Sequence, residues 1–178
     1  MPSKPDHRRG PTTERLVLRK FEASDAQALY ELCSDPEVMR YTGEPLMTSV
    51  DEARVGIETH PDWVDPGYGR WGVVLRELGE DSPPIGFCGL KYLPEIDEVD
   101  IGYRLRTQYW GRGLATEAAR ASIEYGFSVL ELPRIIGLVL PGNPASIRVL
   151  EKLGLERDGD VEYFGEHAQR WVIHRTSA

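Results

Sequence analysis

Short apolar stretches, some alternating with polar residues, divide the chain into predicted strands, and a period of two is typical of a half-buried strand. The predicted strands lie at 15–21, 70–78, 84–93, 98–106 and 134–140, with two more near 155–164 and 169–175. Apolar residues at helical spacing predict helices instead. These helices lie at 22–35, with Ser24 as its cap and Pro36 ending it, from Thr48 or Ser49 to about His60, at 114–130 and at 144–153.

The order of these elements predicts the fold class. The links "GEDSPP" and "PEID" between the middle strands are short and turn-like, which favours antiparallel hairpins. Strand, helix, strand and helix then follow one another. We therefore expect one α/β (α+β) domain over 13–178, with a mixed, largely antiparallel sheet of about seven strands and helices on both faces. Residues 1–12, rich in proline and glycine, are expected to be a disordered lead-in.

Composition excludes only a few classes of function. The net charge of −8 over 178 residues argues against nucleic acid as the main partner. It would suit a cationic substrate, but acidic surfaces mostly keep proteins soluble. No apolar run approaches the roughly 18 residues of a membrane span, and the basic N-terminal residues have no apolar segment behind them, so we expect no signal peptide. Cys33 and Cys88 form no C-x-x-C pair, so we expect reduced thiols and a cytoplasmic protein without a membrane partner.

The stretch "QYWGRGLATEA" (108–118) indicates a binding site for an anion. Gly111 and Gly113 flank Arg112 immediately before a predicted helix, whose free N–H groups and positive dipole end favour phosphate or pyrophosphate. A tight turn between strand and helix would give the same letters. The P-loop motif is absent, and Thr116 stands where a dinucleotide fold needs a third glycine. The remaining class is a coenzyme bound by a mixed sheet.

Two further positions call for an explanation. Asn143 is a strong helix cap, Pro144 fits the first helical position and Gly154 fits a left-handed helix end. Ser146 is left without a structural need. Gly102 lies in mid-strand, where either a bulge or the close approach of another group would explain a glycine.

Two separated motifs resemble the GCN5-related N-acetyltransferases (GNAT superfamily). They are Q-x-x-G-x-G, beginning at Gln108, and N-x-x-S-x-x-x-x-E-K-L-G, beginning at Asn143. The segment "TERLVLRKFEASDAQALYEL" resembles the branch that contains the ribosomal-protein N-terminal acetyltransferases RimJ and RimL. The resemblance covers roughly residues 13 to 175.

The resemblance implies a site for acetyl-CoA as cosubstrate. The strand at 99–105 would splay from the strand at 134–140, the pantetheine arm would enter the gap, and the pyrophosphate would lie on the loop at 108–116. The residues expected to bind the coenzyme are Tyr103, Arg104, Leu105, Gln108, Gly111, Arg112, Gly113, Leu114, Ala115, Thr116, Asn143 and Ser146.

The same resemblance implies acetyl transfer to a primary amine, which must lose a proton before it attacks. Glu98 and Asp100 share one face of the strand and are candidate bases, although solvated strand-edge charges explain either residue as well. A backbone N–H near Tyr103 would hold the oxyanion. Many relatives protonate the departing thiolate with a tyrosine at the position of Leu150, so Ser146, which matches a serine of RimL-like enzymes, is the substitute candidate.

Several alternatives stay open at this stage. The acceptor can be a protein N-terminus, a drug or a metabolite, and we expect loops 39–47 and 162–170 to select it. A non-catalytic acyl-CoA sensor on the same fold is the alternative from another class, and a homodimer is possible. The sequence has no G-x-S-x-G elbow, and its four histidines form no ligand set, so neither a serine hydrolase nor a metal site is expected.

Overall fold

The computed structural model describes residues 7–63, 68–163 and 165–176. Eight strands and five α-helices lie within these ranges. The strands are β1 (Arg9–Thr12), β2 (Leu16–Arg19), β3 (Arg70–Leu75), β4 (Gly86–Leu93), β5 (Glu98–Leu105), β6 (Arg134–Val139), β7 (Glu156–Tyr163) and β8 (Glu166–His174). The helices are α1 (Ala26–Cys33), α2 (Pro36–Met39), α3 (Val50–Thr59), α4 (Leu114–Ser128) and α5 (Pro144–Leu153).

The strands form a single mixed sheet in the order β1-β2-β3-β4-β5-β6-β8-β7. Every neighbouring pair is antiparallel except β5 and β6, which run parallel. The predicted fold class is therefore confirmed, with eight strands in place of about seven. The extra strand is Arg9–Thr12, which pairs with β2, so the predicted disorder of 1–12 is wrong for those residues, while residues 1–6 lie outside the described part of the chain.

Helices cover both faces of the sheet, as the sequence predicts. Neighbouring residues of a strand point to opposite faces, and Phe87 and Cys88 of β4 accordingly belong to different apolar clusters. Cys88 lies in the main core, which is built with α4 and α5, whereas Phe87 packs against the cluster formed by α1 and α2. Cys33 and Cys88 are both buried free thiols.

Some local predictions need correction. Pro36 does not end a helix but begins α2, because proline is well tolerated in a first helical turn. The N-cap of α1 is Asp25, and Ser24 lies within a preceding turn of 3₁₀ helix. Ser49 caps α3 as predicted, and 144–153 is a helix with the predicted ends. In the described part of the chain, no helix is long and apolar enough to cross a membrane.

Glu117 in the first turn of α4 fixes this helix to the start of β2. Its carboxylate accepts hydrogen bonds from the Thr13 hydroxyl at 2.6 Å and from Nε and the backbone N–H of Arg15 at 2.6 and 3.1 Å. Arg15 also donates to the carbonyl of Arg112 at 3.0 Å. Glu117 is therefore not one of the solvated charges of α4, and it holds the loop before the helix in place.

We predict that Glu117→Gln lowers the free energy of unfolding by about 1–2 kcal/mol at neutral pH, because charge-assisted hydrogen bonds are lost. Burial raises the pKa of Glu117, but the bonds from Thr13 and Arg15 outweigh burial and lower it below the usual range. This stabilisation is present above the pKa of an unfolded glutamate and is lost as pH falls through the folded pKa. Denaturant unfolding at several pH values should show wild type and variant converging in acid.

Glu124→Gln is the matched control, since Glu124 lies on the exposed side of the same helix. Its unfolding should match that of wild type at every pH. Equal losses in the two variants would contradict the role assigned to Glu117.

Candidate functional site

The sheet opens between its two parallel strands. The register joins β5 to β6 at a single pair, Asp100 opposite Ile136. Beyond this pair, the next hydrogen bond from β6 goes to a side chain and not to the backbone of β5. Oδ1 of Asp100 accepts the N–H of Leu138 at 3.1 Å. A carboxylate thus occupies the place of a backbone carbonyl, and the strands part towards Leu105. The predicted splay is confirmed, and the edge of β5 from Ile101 to Leu105 faces the gap.

Arg70 of β3 lies across β5 at Gly102 and pairs with Asp100. Its Nη2 is 2.7 Å from Oδ2 of Asp100. A Cβ added at Gly102 would lie 2.4 Å from the guanidinium of Arg70, while the register of β4 and β5 runs through Gly102 without interruption. Close approach, and not a bulge, therefore explains this glycine. Burial raises the pKa of Asp100, and Arg70 opposes the rise.

Glu98 is a buried ion-pair residue. Its carboxylate accepts Nε and Nη2 of Arg134 at 3.0 and 2.8 Å, and Nη2 of Arg170 at 2.7 Å. Glu98 and Asp100 are only 8% and 6% exposed, so the reading of these residues as solvated strand-edge charges is wrong for both. The contacts of Glu98 join β5 to β6 and β8, at the closed end of the gap.

The loop before α4 leaves the start of that helix open. Gly113 is the N-cap in a left-handed conformation with φ 75°, and no side chain caps the helix. Gly111 is also left-handed, at φ 72°, and a Cβ there would meet no atom within 4 Å. The N–H groups of Leu114, Ala115 and Thr116 have no partner inside the helix. This geometry suits an anion, as the sequence predicts.

The side chains around this loop have varied surroundings. Gln108 is exposed, Leu114 is buried in the main core, and Nη2 of Arg112 pairs with Glu77 at 2.9 Å. The carbonyl of Leu105 accepts the indole N–H of Trp110 at 2.7 Å. Thr116 lines an open groove of about 460 Å³ along the first turns of α4. The backbone of the loop, more than its side chains, therefore provides the anion site.

Helix α5 places the hydroxyl of Ser146 next to that of Tyr103 on β5. Oδ1 of Asn143 accepts the N–H of Ser146 at 3.1 Å, which confirms the predicted cap. The Tyr103 hydroxyl lies 2.9 Å from Oγ of Ser146 and donates to the Ser146 carbonyl at 3.1 Å. Leu150, one turn further along, is only 1% exposed and packs against Gly137 in the core.

The side chain of Tyr103 lies in the candidate site, which the sequence reasoning missed, since only its backbone was expected to take part. Burial raises the pKa of Tyr103, so its hydroxyl stays protonated and can donate. The available signal was the alternation along β5, which places Tyr103 on the same face as Ile101 and Leu105, against the helices of the main core.

A pocket of about 230 Å³ lies on the opposite face of β5, between this strand, β4, α1 and α3. Glu44 and Met47 of the loop at 39–47 line it, together with Arg70, Phe87 and Arg104. The other predicted acceptor loop, 162–170, is mostly strand: it belongs to the β7–β8 hairpin, contributes no lining residue to this pocket, and includes Phe164, which lies outside the described residues.

Comparison with known proteins identifies similar chains. A family model described as an acetyltransferase (GNAT) domain matches residues 15–156. The uncharacterized N-acetyltransferase p20 of Bacillus licheniformis is 39% identical over 149 residues, which are 83% of this chain and 82% of that protein.

Solved structures of acetyltransferases share the fold. The crystal structure of the acetyltransferase from Agrobacterium tumefaciens superposes with a TM-score of 0.79 at 28% identity, covering 93% of this chain and 94% of the other. A spermidine N-acetyltransferase from Vibrio cholerae, in complex with CoA and spermine, superposes with a TM-score of 0.72 at 22% identity, covering 91% and 96%.

We predict that Gly102→Ala destabilises the protein by displacing the guanidinium of Arg70. The flexible side chain can swing away, so the cost is the ion pair with Asp100, roughly 1.5–3 kcal/mol in the free energy of unfolding. Gly56→Ala is the control, because a Cβ at this helical glycine meets nothing within 4 Å. We expect no loss of stability for the control, and equal denaturation midpoints for wild type and Gly102→Ala would contradict the assignment.

Proposed function

This chain belongs to the GNAT acetyltransferase family, and we propose that it transfers the acetyl group of acetyl-CoA to a primary amine. The observation that carries the proposal is the gap between β5 and β6, which has the open start of α4 at one side and the Tyr103–Ser146 pair at the other. An anion site and a hydroxyl donor along one opened strand edge fit a long thioester that carries a pyrophosphate.

Three parts of the site would bind the coenzyme. The free edge of β5 around Tyr103 to Leu105 would pair with the amides of the pantetheine arm, and the N–H groups of the loop at 108–116 would hold the pyrophosphate. Asn143 has its Oδ1 engaged as a cap, so its amide nitrogen is the atom left for the pantetheine. CoA is bound in the spermidine N-acetyltransferase of Vibrio cholerae that shares this fold, which supports CoA as the ligand.

Of the two carboxylates, Asp100 is the better candidate for the base. Glu98 is enclosed by Arg134 and Arg170, whereas Asp100 lies where the strands part. Burial raises the pKa of Asp100 towards the working range of a general base. In this proposal the amine gives up a proton to Asp100, directly or through water, as its C–N bond forms and the thioester C–S bond breaks.

Ser146 is the proposed hydrogen-bond donor to the sulfur, which departs as the thiolate of CoA. Its hydroxyl is in contact with that of Tyr103, and burial raises the pKa of Tyr103, so the phenol stays protonated beside it. Leu150 is too deeply buried for a group at that position to serve without rearrangement of the core. The hydroxyl pair also favours catalysis over a sensor that only binds acyl-CoA. The RimJ/RimL branch, the cytoplasmic location and a homodimer stay predictions from the sequence.

We predict that the protein releases CoA from acetyl-CoA when primary amines are supplied, and that the loop glycines are needed for binding. Gly111→Asp and Gly113→Asp each place a carboxylate where the pyrophosphate would lie, so CoA should bind at least about tenfold more weakly. Calorimetry with CoA measures this, and Gly159→Asp, at an exposed left-handed glycine in β7, is the control.

Two outcomes would count against this proposal. Unchanged CoA affinity in both loop variants would remove the assignment of the loop. Tight CoA binding without turnover of any amine in a broad panel of peptides and small amines would favour the sensor.

We predict that Ser146→Ala lowers kcat by about ten- to a hundredfold with little change in CoA affinity, as expected when a transition-state hydrogen bond is lost. Tyr103→Phe should lower kcat as well, and the double variant should lose little more than Ser146→Ala, because the two hydroxyls act as one unit. Rates with a saturating amine and melting temperatures should be measured on the same preparations.

The structural alternative gives a different pattern. If Ser146 only supports the start of α5, Ser146→Ala lowers the melting temperature and leaves kcat of the folded enzyme intact. A destabilised but fully active variant would therefore rule out the catalytic role.

A further inference from the structure

The pocket on the far face of β5 has an apolar body and a charged rim. Its apolar lining consists of Phe21, Leu29, Met47, Ile57 and Phe87. The rim carries four cations, Lys20, Arg70, Lys91 and Arg104, against two carboxylates, Glu44 and Asp62. This excess of positive charge is opposite in sign to the net charge of −8 of the whole chain. The positive charge is therefore specific to this pocket and not typical of the protein surface.

Ion pairs neutralise only part of the positive charge. Arg104 pairs with Glu44 at 3.0 Å, and Arg70 pairs with Asp100 at 2.7 Å. Among the described residues no carboxylate forms an ion pair with Lys91, which is half-buried on β4 opposite Asp100. Nε of Arg70 is buried without a hydrogen-bond partner in the same part of the chain. Lys91 is thus a charged donor available to an anion, whereas Nε of Arg70 is buried and not exposed to solvent.

One acceptor atom in the pocket is also unsatisfied. Oδ2 of Asp62 is buried and has no hydrogen-bond partner among the described residues, and it lies 3.7 Å from Nδ1 of His60. Burial lowers the pKa of His60, Asp62 opposes this, and the cations of the pocket lower it further. A buried oxygen without a hydrogen-bond partner favours an N–H donor nearby.

The pocket adjoins the reacting strand. Arg70 lies directly over Gly102, and Arg104 belongs to β5 itself. An anionic group held by Arg70 would therefore lie close to the gap in which the thioester is proposed to bind. If amine and anion share one carbon atom, holding the anion there presents the amine to the gap.

We propose that the acceptor is a zwitterionic small amine, an α-amino acid or a close analogue with an apolar side chain. Its carboxylate is bound by Lys91 beside the guanidinium of Arg70, its amino group faces the gap and Asp100, and its side chain fills the apolar body of the pocket. This inference rests on the proposed acetyl transfer and names the class of acceptor. A polyamine such as the spermine in the similar structure would bring several positive charges close to Lys91, which has no ion pair among the described residues.

The test compares matched acceptors with the intact enzyme and saturating acetyl-CoA. Leucine, methionine and phenylalanine are each paired with their amides, which keep the shape and lose the negative charge, and spermidine is included. We expect kcat/KM, corrected for the fraction of free amine, to be at least about tenfold higher for the acid of the preferred pair than for its amide. Spermidine should be a poorer acceptor than that acid.

Charge reversal in the pocket sharpens the test. Lys91→Glu should abolish or invert the preference for the acid over its amide, while CoA affinity stays unchanged. Lys152→Glu makes the same charge change at an exposed position of α5 and should keep the wild-type preference. Lys91→Met removes the charge without reversing it, and it should reduce the preference for the acid without inverting it. The melting temperature of this variant shows whether it is still folded.

The outcomes distinguish this inference from the proposed function. Acetylation of acid and amide at equal rates, or best turnover of spermidine, overturns the zwitterionic acceptor and leaves amine acetylation in place. An unchanged preference in folded Lys91→Glu also overturns it. If no amine is acetylated although CoA binds, the proposed function fails and this inference fails with it.

Discussion

The hydrogen bond from the backbone of Leu138 to the carboxylate of Asp100 is the contact on which the rest of the site depends. A parallel ladder would continue beyond Ile136 if a carbonyl of β5 accepted that N–H group. Because a side chain accepts this N–H group instead, the donor of β6 is satisfied and the backbone of β5 can diverge from β6. The cost is a buried carboxylate, and the ion pair with Arg70 offsets that cost.

Alternation along β5 lets one strand serve two ligands. Ile101, Tyr103 and Leu105 face the helices of the main core, beside the proposed coenzyme site. Gly102 and Arg104 face the pocket proposed for the acceptor. The reacting groups would then meet at the edge of the strand that the splay exposes. Rigid elements hold both sides, since β4 pairs with the whole length of β5.

The sequence predicted the fold and the starts of α4 and α5 well because both rest on local rules. Gly113 starts a helix, Asn143 caps one, and the order of strands and helices defines the sheet. The roles of Glu98 and Asp100 could not be read in the same way, because their partners come from strands distant in sequence. Gly102 likewise became explicable only when Arg70 was found beside it. The pocket proposed for the acceptor was the least predictable part, since its lining is drawn from β3, β4, β5, α1 and α3 and from the segments between such elements.

The burial of both cysteines has a consequence for the handling of the protein. Burial raises the pKa of Cys88 to about 12, and burial also raises the pKa of Cys33. The thiolate is the reactive form of cysteine, so the folded chain presents almost no nucleophilic sulfur at neutral pH. A disulfide reagent added to the working enzyme would therefore report the thiol of released CoA against a low background. The same reagent would become a probe of unfolding once the core opens.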